Sequence, residues 1–188
     1  MSEQKTGLCV GCGYQKAQSN ENITWINLDN DESVSPDVLR DINRGLPFAD
    51  NTFDVVFCSH VLEHFGGADF VFVMNEIHRV LKPRGEIHVL SPYYKFWGAY
   101  IDPFHKMIMN EHTFQPFRCP SVTSKGMGVT GIYVPIIVQV AEEMELRVVM
   151  RKVPNEQLRE YVDSFPEKKC PDFLEIVKGR TYEYGVTA

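Results

Sequence analysis

The chain has 188 residues, 44% hydrophobic and 23% charged, enough for one domain to bury a core without disulfide or metal staples. A formal net charge of -6 and a pI near 5.5 exclude a globally basic surface, so no nucleic-acid partner is expected. No apolar run is long enough to cross a bilayer, so no membrane partner is expected either. The first residues, MSEQKTG, are polar and carry no apolar leader, and the five cysteines are odd in number. Reduced thiols and a cytoplasmic setting follow as the expectation.

In chain order, Leu8-Cys9-Val10 reads as a short strand entering a glycine turn, Gly11-Cys12-Gly13, where a ligand can approach the backbone closely. The third glycine of a dinucleotide fingerprint is replaced by Lys16, which weakens a nicotinamide reading. A second strand, residues 24–28, ends at Asp29, an acid placed to accept hydrogen bonds from ribose hydroxyls. Only about a dozen residues separate the glycine turn from this strand, near the roughly 10 to 12 residue minimum for a parallel crossover. The first helix should therefore be stunted or absent, and a ligand without phosphates fits better, since no full helix amino terminus faces it.

Residues 37–42 read as a third strand ending in an acid, Asp41, beside Ile42. The stretch 46–65, LPFADNTFDVVFCSHVLEHF, holds a turn and then an apolar run at 53–58 that reads as a strand buried on both faces. Ser59, His60, Glu63 and His64 follow at its polar carboxyl edge, where open α/β sheets bind ligands. A helix is expected over 68–81, with Phe70, Val73, Met74, Ile77 and Leu81 on its apolar stripe, stopped by Lys82-Pro83-Arg84-Gly85. A fifth strand covers 86–90, and Ser91-Pro92-Tyr93-Tyr94 follows. Residues 93–130 are aromatic and irregular, which predicts a lid or substrate segment. Segments 134–140 and 146–153 are apolar enough for further sheet, 155–165 predicts a short helix, and 173–186 predicts a last strand.

These motifs resemble class I S-adenosylmethionine-dependent methyltransferases, closest to short type 11-like members with a shrunken first helix. VGCG at 10–13, LD at 28–29, DI at 41–42, the stretch 46–65 and EIHRVLKPRGEIHVLSP at 76–92 carry the resemblance, over roughly the first half of the chain. It implies a Rossmann-like, doubly wound, mostly parallel sheet in one domain spanning 1–188. It also implies S-adenosylmethionine as cofactor, S-adenosylhomocysteine as product, and a small or medium acceptor methylated on oxygen or nitrogen. By resemblance, Gly11, Cys12 and Gly13 pass under the methionine portion and Asp29 holds the ribose. Asp41 and Ile42 meet the adenine, while Ser59 and His60 line the sulfonium side. One departure is Tyr14-Gln15, where the family usually has a further glycine, so either a low cofactor affinity or a reshaped loop is expected.

For catalysis the expected residues are His60, Asp102 and His105, the latter two from a DPFH segment similar to one in the family. A carboxylate can orient an imidazole that takes a proton, and an equally simple reading has Asp102-Pro103 start a turn that His105 ties down. Tyr93, Tyr94 and Trp97 are the expected acceptor contacts. Cys9-x-x-Cys12 lacks a second pair and reads as structural. His60 and His64 flank Glu63 as H-V-L-E-H, but no third ligand is fixed by sequence, so no metal is expected. Two other readings stay open: a non-catalytic donor-binding or partner-binding module on this fold, and a nicotinamide-dependent reductase. The acceptor's identity and the oligomeric state are not written in these motifs.

Overall fold

The computed structural model describes residues 4–118 and 122–163. Seven strands form one sheet: β1 Lys5–Val10, β2 Ile23–Asp29, β3 Val38–Leu39, β4 Phe53–Ser59, β5 Leu81–Pro92, β6 Tyr133–Ala141 and β7 Glu145–Lys152. Their order is β3-β2-β1-β4-β5-β7-β6; the first five are parallel, and β7 runs antiparallel to both its neighbours. The chain winds outward from β1 to β3 and then restarts at β4, so the strand order reverses at the β1/β4 boundary. A crevice opens at such a switch point, outside the carboxyl ends of the strands.

Between β4 and β5 lies α1, Gly67–Val80, whose Phe70, Val73, Met74, Ile77 and Val80 are buried at helical spacing. They share a core with Val56 and Cys58 of β4 and Ile87 and Val89 of β5. Arg79 fastens the preceding turn to this helix. Its guanidinium donates to the carbonyls of Leu46 and Phe48 at 3.0 and 2.7 Å and to Glu76, which in turn accepts the Leu46 N–H at 2.8 Å. The chain therefore enters β4 from a turn held rigid at its base.

The short first crossover is confirmed: residues 11–22 contain no helix. That has a consequence for β4, whose burial is one-sided rather than complete. Val56 and Cys58 are fully buried under α1, whereas Val55, Phe57 and Ser59, which alternate to the other face, are half-buried. Phe57 packs there with Cys9, Cys12, Val34, Ala17 and Trp25, a small cluster that does the work a first helix would otherwise do.

Other expectations change in detail. The third strand is only Val38–Leu39, and Asp41 instead caps a 3-10 turn, Ile42–Arg44, accepting the Asn43 N–H. β5 begins at Leu81, directly where α1 ends, and its pairing with β4 shifts between Phe53 and Val55, so Pro83 and Gly85 fall within the strand. The irregular segment contains two short helices, α2 Gly98–Ile101 and α3 Val122–Gly126. The 155–165 region forms a 3-10 turn, Asn155–Gln157, and a short α4, Leu158–Asp163. The strand expected at 173–186 lies outside the described residues. No helix among those described is long and apolar enough to cross a membrane.

One core histidine makes stability pH-dependent. His78 of α1 is 8% exposed, its ring edge-on to Tyr133 at 5.1 Å, and burial with the nearby Lys152 charge pushes its pKa down to about 4. The unfolded chain then binds the extra proton first, so stability falls as pH drops below about 6.5 and the loss is complete below about 4. The full loss is about 3 kcal/mol, since each pKa unit is roughly 1.4 kcal/mol. A His78→Phe variant is expected to flatten the decline of the urea midpoint between those limits; an equal decline in both proteins would clear His78 of responsibility.

Candidate functional site

The carboxyl ends of β1, β2, β3 and β4 surround one cleft of about 410 Å³, within the range of small-molecule sites. Gly11 lines it after β1, Asp29 at the end of β2, Asp41 and Ile42 just past β3, and His60 just past β4. The backbone at Gly11 needs glycine on two counts. Its φ is +61°, and a Cβ built there would stand 2.4 Å from Cγ2 of Val61, which forms the adjoining wall. His60 also has a left-handed backbone, φ +53°, uncommon for a non-glycine residue.

Asp29 organises its own neighbourhood. Its Oδ2 accepts the Gly13 N–H at 2.8 Å and its Oδ1 accepts the Asp31 N–H at 3.0 Å, which couples the glycine turn to the end of β2. Each carboxylate oxygen keeps a second lone pair for a ligand. Gly13, Cys12 and Ser59 do not line the cleft itself. Gly13 acts through its N–H on Asp29, Cys12 is buried beside Cys9, and Ser59 sits in the last pairing of β4 with Leu90. Burial raises the Cys9 thiol pKa to about 11 and raises that of Cys12 too, which keeps both protonated and unreactive.

Past β4 the chain makes a 3-10 turn, Leu62–His64, that swings Glu63 inward to 1% exposure. His60 Nδ1 stands 3.5 Å from Glu63 and its Nε2 3.6 Å from Glu145, and the Glu63 carboxylate, with help from Glu145, raises the imidazole pKa. Of the three expected proton carriers, His60 is the one in the cleft wall. Asp102 and His105 do not line it. Asp102 Oδ1 accepts the Phe104 N–H at 2.8 Å, His105 Nδ1 pairs with the Ala99 carbonyl at 3.0 Å, and the two side chains are 3.8 Å apart.

The aromatic residues expected to meet an acceptor are not in the wall either. Tyr93 is 4% exposed and donates its hydroxyl to Glu111 at 2.8 Å; Tyr94 packs on it, and Trp97 is 66% exposed on Phe96. The same segment instead contributes Phe104 and Lys106 to the cleft. Lys106 is delivered by two backbone bonds, from the N–H groups of Lys106 and Met107 to the Glu63 carbonyl at 2.9 and 3.0 Å. Sequence reasoning placed His64 at this edge but passed over Val61, Phe104 and Lys106 as cleft residues. Only Val61 sits inside the motif that announced the site, and nothing in the periodicity marked the other two.

Residues 8–89 match the methyltransferase domain family. A probable methyltransferase, LtbC of Aspergillus luteorubrus, is 47% identical over 45 residues, 23% of this chain and 16% of that protein. The chain matches less than a fifth of the length of its curated relatives. A SAM-dependent methyltransferase from Aquifex aeolicus superposes with a TM-score of 0.59 at 16% identity, over 79% of this chain and 82% of that one. The [4+2]-cyclase SpnF gives the same TM-score at 15% identity, over 80% of this chain and 75% of that one. Residues 8–89 thus resemble the methyltransferase domain family in sequence, and the seven-stranded sheet has the fold of S-adenosylmethionine-dependent methyltransferases through β7.

Proposed function

We propose that the protein transfers a methyl group from S-adenosylmethionine to an oxygen or nitrogen of a small or medium acceptor. The observation that carries this reading is the convergence of Gly11, Asp29, Asp41, Ile42 and His60 on one cleft. The residues present suit the donor. Gly11, with no Cβ to collide with Val61, keeps the glycine turn close against the cleft wall, Asp29 offers two acceptor oxygens to vicinal hydroxyls, and Asp41 beside Ile42 offers an acceptor and an apolar surface to an aminopurine ring. Lys106 supplies a cation for the donor's carboxylate.

S-adenosylmethionine supplies an electrophilic methyl on its sulfonium; the methyl moves to the acceptor, leaving S-adenosylhomocysteine and a proton. The protein's part is largely alignment, which lowers such barriers without an obligatory base. His60 is the imidazole placed to take the proton, and Asp102 and His105 position the segment that carries Phe104. The exposed side chains of Trp97, Tyr100, Ile101 and Phe104 offer the acceptor an apolar approach. The described Cys9, Cys12 and Cys58 are free thiols, which suits a reducing cytoplasmic setting.

Calorimetric titration with S-adenosylhomocysteine, S-adenosylmethionine and reduced nicotinamide cofactor tests the reading. Binding of the first two and not the third is expected, followed by methyl transfer when pools of hydroxy and amino compounds are supplied. Failure to bind either adenosyl compound sinks the proposal. Binding with no turnover on any pool would favour the sensor form of the same fold, which the SpnF likeness shows is not tied to one chemistry.

A further inference from the structure

We infer that Glu63, His64 and His105 form a binding site for one divalent transition-metal ion of the zinc class, beside the cleft. Burying an ionised carboxylate is costly unless it is paired or coordinates a cation. Glu63 is 1% exposed, and among the described residues neither of its carboxylate oxygens receives a hydrogen bond. The nearest basic group, His60, is 3.5 Å away with its side chain 53% exposed, so it neither shields the carboxylate nor saturates it. A core acid beside a binding cleft, whose ion-pair partner among the described residues is one half-exposed imidazole, points to a cation.

The ligands are brought together from two separate stretches of the chain. The 3-10 turn sets Glu63 next to His64, and the two N–H bonds to the Glu63 carbonyl bring residues 105–107 alongside. The His64 and His105 rings lie 4.9 Å apart, edge to face, and one ligand atom from each of the three residues falls within 4.8 Å of the others. Bonds of about 2.0 to 2.2 Å require ligand atoms roughly 3.4 Å apart, a closure within reach of small side-chain rotations.

His105 is already prepared for this. A carbonyl can only accept, so the 3.0 Å contact with Ala99 puts a proton on Nδ1, and in the neutral ring Nε2, 3.8 Å from Asp102, keeps its lone pair for a ligand. Metal-binding histidines are commonly oriented by such a bond. One carboxylate and two imidazoles suit zinc and its neighbours rather than magnesium or calcium, which take oxygen sets. The H-V-L-E-H spacing suggested His60 with His64, and the fold exchanges His60 for His105.

The test is titration of chelator-stripped full-length protein with Zn²⁺ against a chromophoric competitor, with Co²⁺ as an optical probe of ligand field. One ion per chain with a dissociation constant below about 10 µM is expected, about −7 kcal/mol or better. Glu63→Gln and His105→Ala should each weaken it roughly 100-fold, a loss of the size seen when metal sites are disturbed. His112→Ala, outside the cluster, should not. Zn²⁺ should raise the melting temperature of the native protein but not of Glu63→Gln, whose neutral, isosteric side chain preserves the fold. Affinity weaker than about 10 µM, or affinity unchanged in either cluster variant, overturns the site. Both readouts are independent of S-adenosylhomocysteine binding, so they stand or fall separately from the methyltransferase reading.

Discussion

A Gly11→Ala variant is expected to bind S-adenosylhomocysteine at least ~100-fold more weakly than the native protein, a loss of about 3 kcal/mol. Two separable costs add. The left-handed backbone, φ +61°, penalises any Cβ by roughly 1 to 2 kcal/mol. The added carbon also overlaps Val61, at 2.4 Å from Cγ2 and 3.3 Å from Cγ1. Val61 is β-branched and stiff about χ1, so it relieves the overlap by moving backbone rather than by rotating. That movement shifts a wall of the cleft.

The same geometry provides the control. In the double variant Gly11→Ala with Val61→Ala the overlapping γ carbons are gone, so only the backbone strain and a little lost packing remain. Affinity should recover by about tenfold relative to the single variant, a coupling of roughly 1.4 kcal/mol between residues in contact. Circular dichroism and melting curves on all three proteins separate a closed cleft from an unfolded chain. Native affinity in the single variant would remove Gly11 from the ligand's path.

Much of this cleft could be read from the chain because its parts are local. Val10 running into Gly11, and Leu28 into Asp29, are apolar strands ending in residues with one evident use at a sheet edge. The missing first helix followed from counting residues between them. What the sequence hid depends on distant contacts or on backbone angles. Asp41 looked like the end of a strand because Val38, Leu39 and Ile42 are apolar, yet its side chain captures the Asn43 N–H and turns the chain first.

Glu63 looked like an edge residue among polar neighbours. Its burial comes from the 3-10 turn and from residues 106 and 107 closing over it, more than forty positions away. The aromatic segment misled for a related reason. Tyr93 and Tyr94 are conspicuous in sequence, but Tyr93 continues the core beyond β5, while Phe104 and Lys106 reach the cleft through an irregular path that no periodicity announces.

Replacing Asp29 is expected to cost nearly as much as replacing Gly11, for a reason the sequence reading held only in part. A carboxylate accepting two ribose hydroxyls loses about 1.5 to 3 kcal/mol for each charge-assisted bond removed, so Asp29→Ala should weaken S-adenosylhomocysteine binding by roughly 100-fold or more. Asp29 also accepts the N–H groups of Gly13 and Asp31, so the alanine variant frees the glycine turn as well. Asp29→Asn separates the two duties incompletely. Its amide keeps one acceptor oxygen but turns an NH₂ toward one of those two N–H donors, and some loosening of the turn remains.

A ligand lacking the hydroxyls separates them fully. Against a 2′,3′-dideoxy analogue of S-adenosylhomocysteine, Asp29→Ala should lose only the part due to the turn, leaving a coupling energy between carboxylate and hydroxyls of at least about 1.5 kcal/mol in the double cycle. A coupling near zero would mean that Asp29 serves the glycine turn alone. The nucleoside would then have to be held from the β3 side of the cleft, by Asp41 and Ile42, with no acid at its ribose.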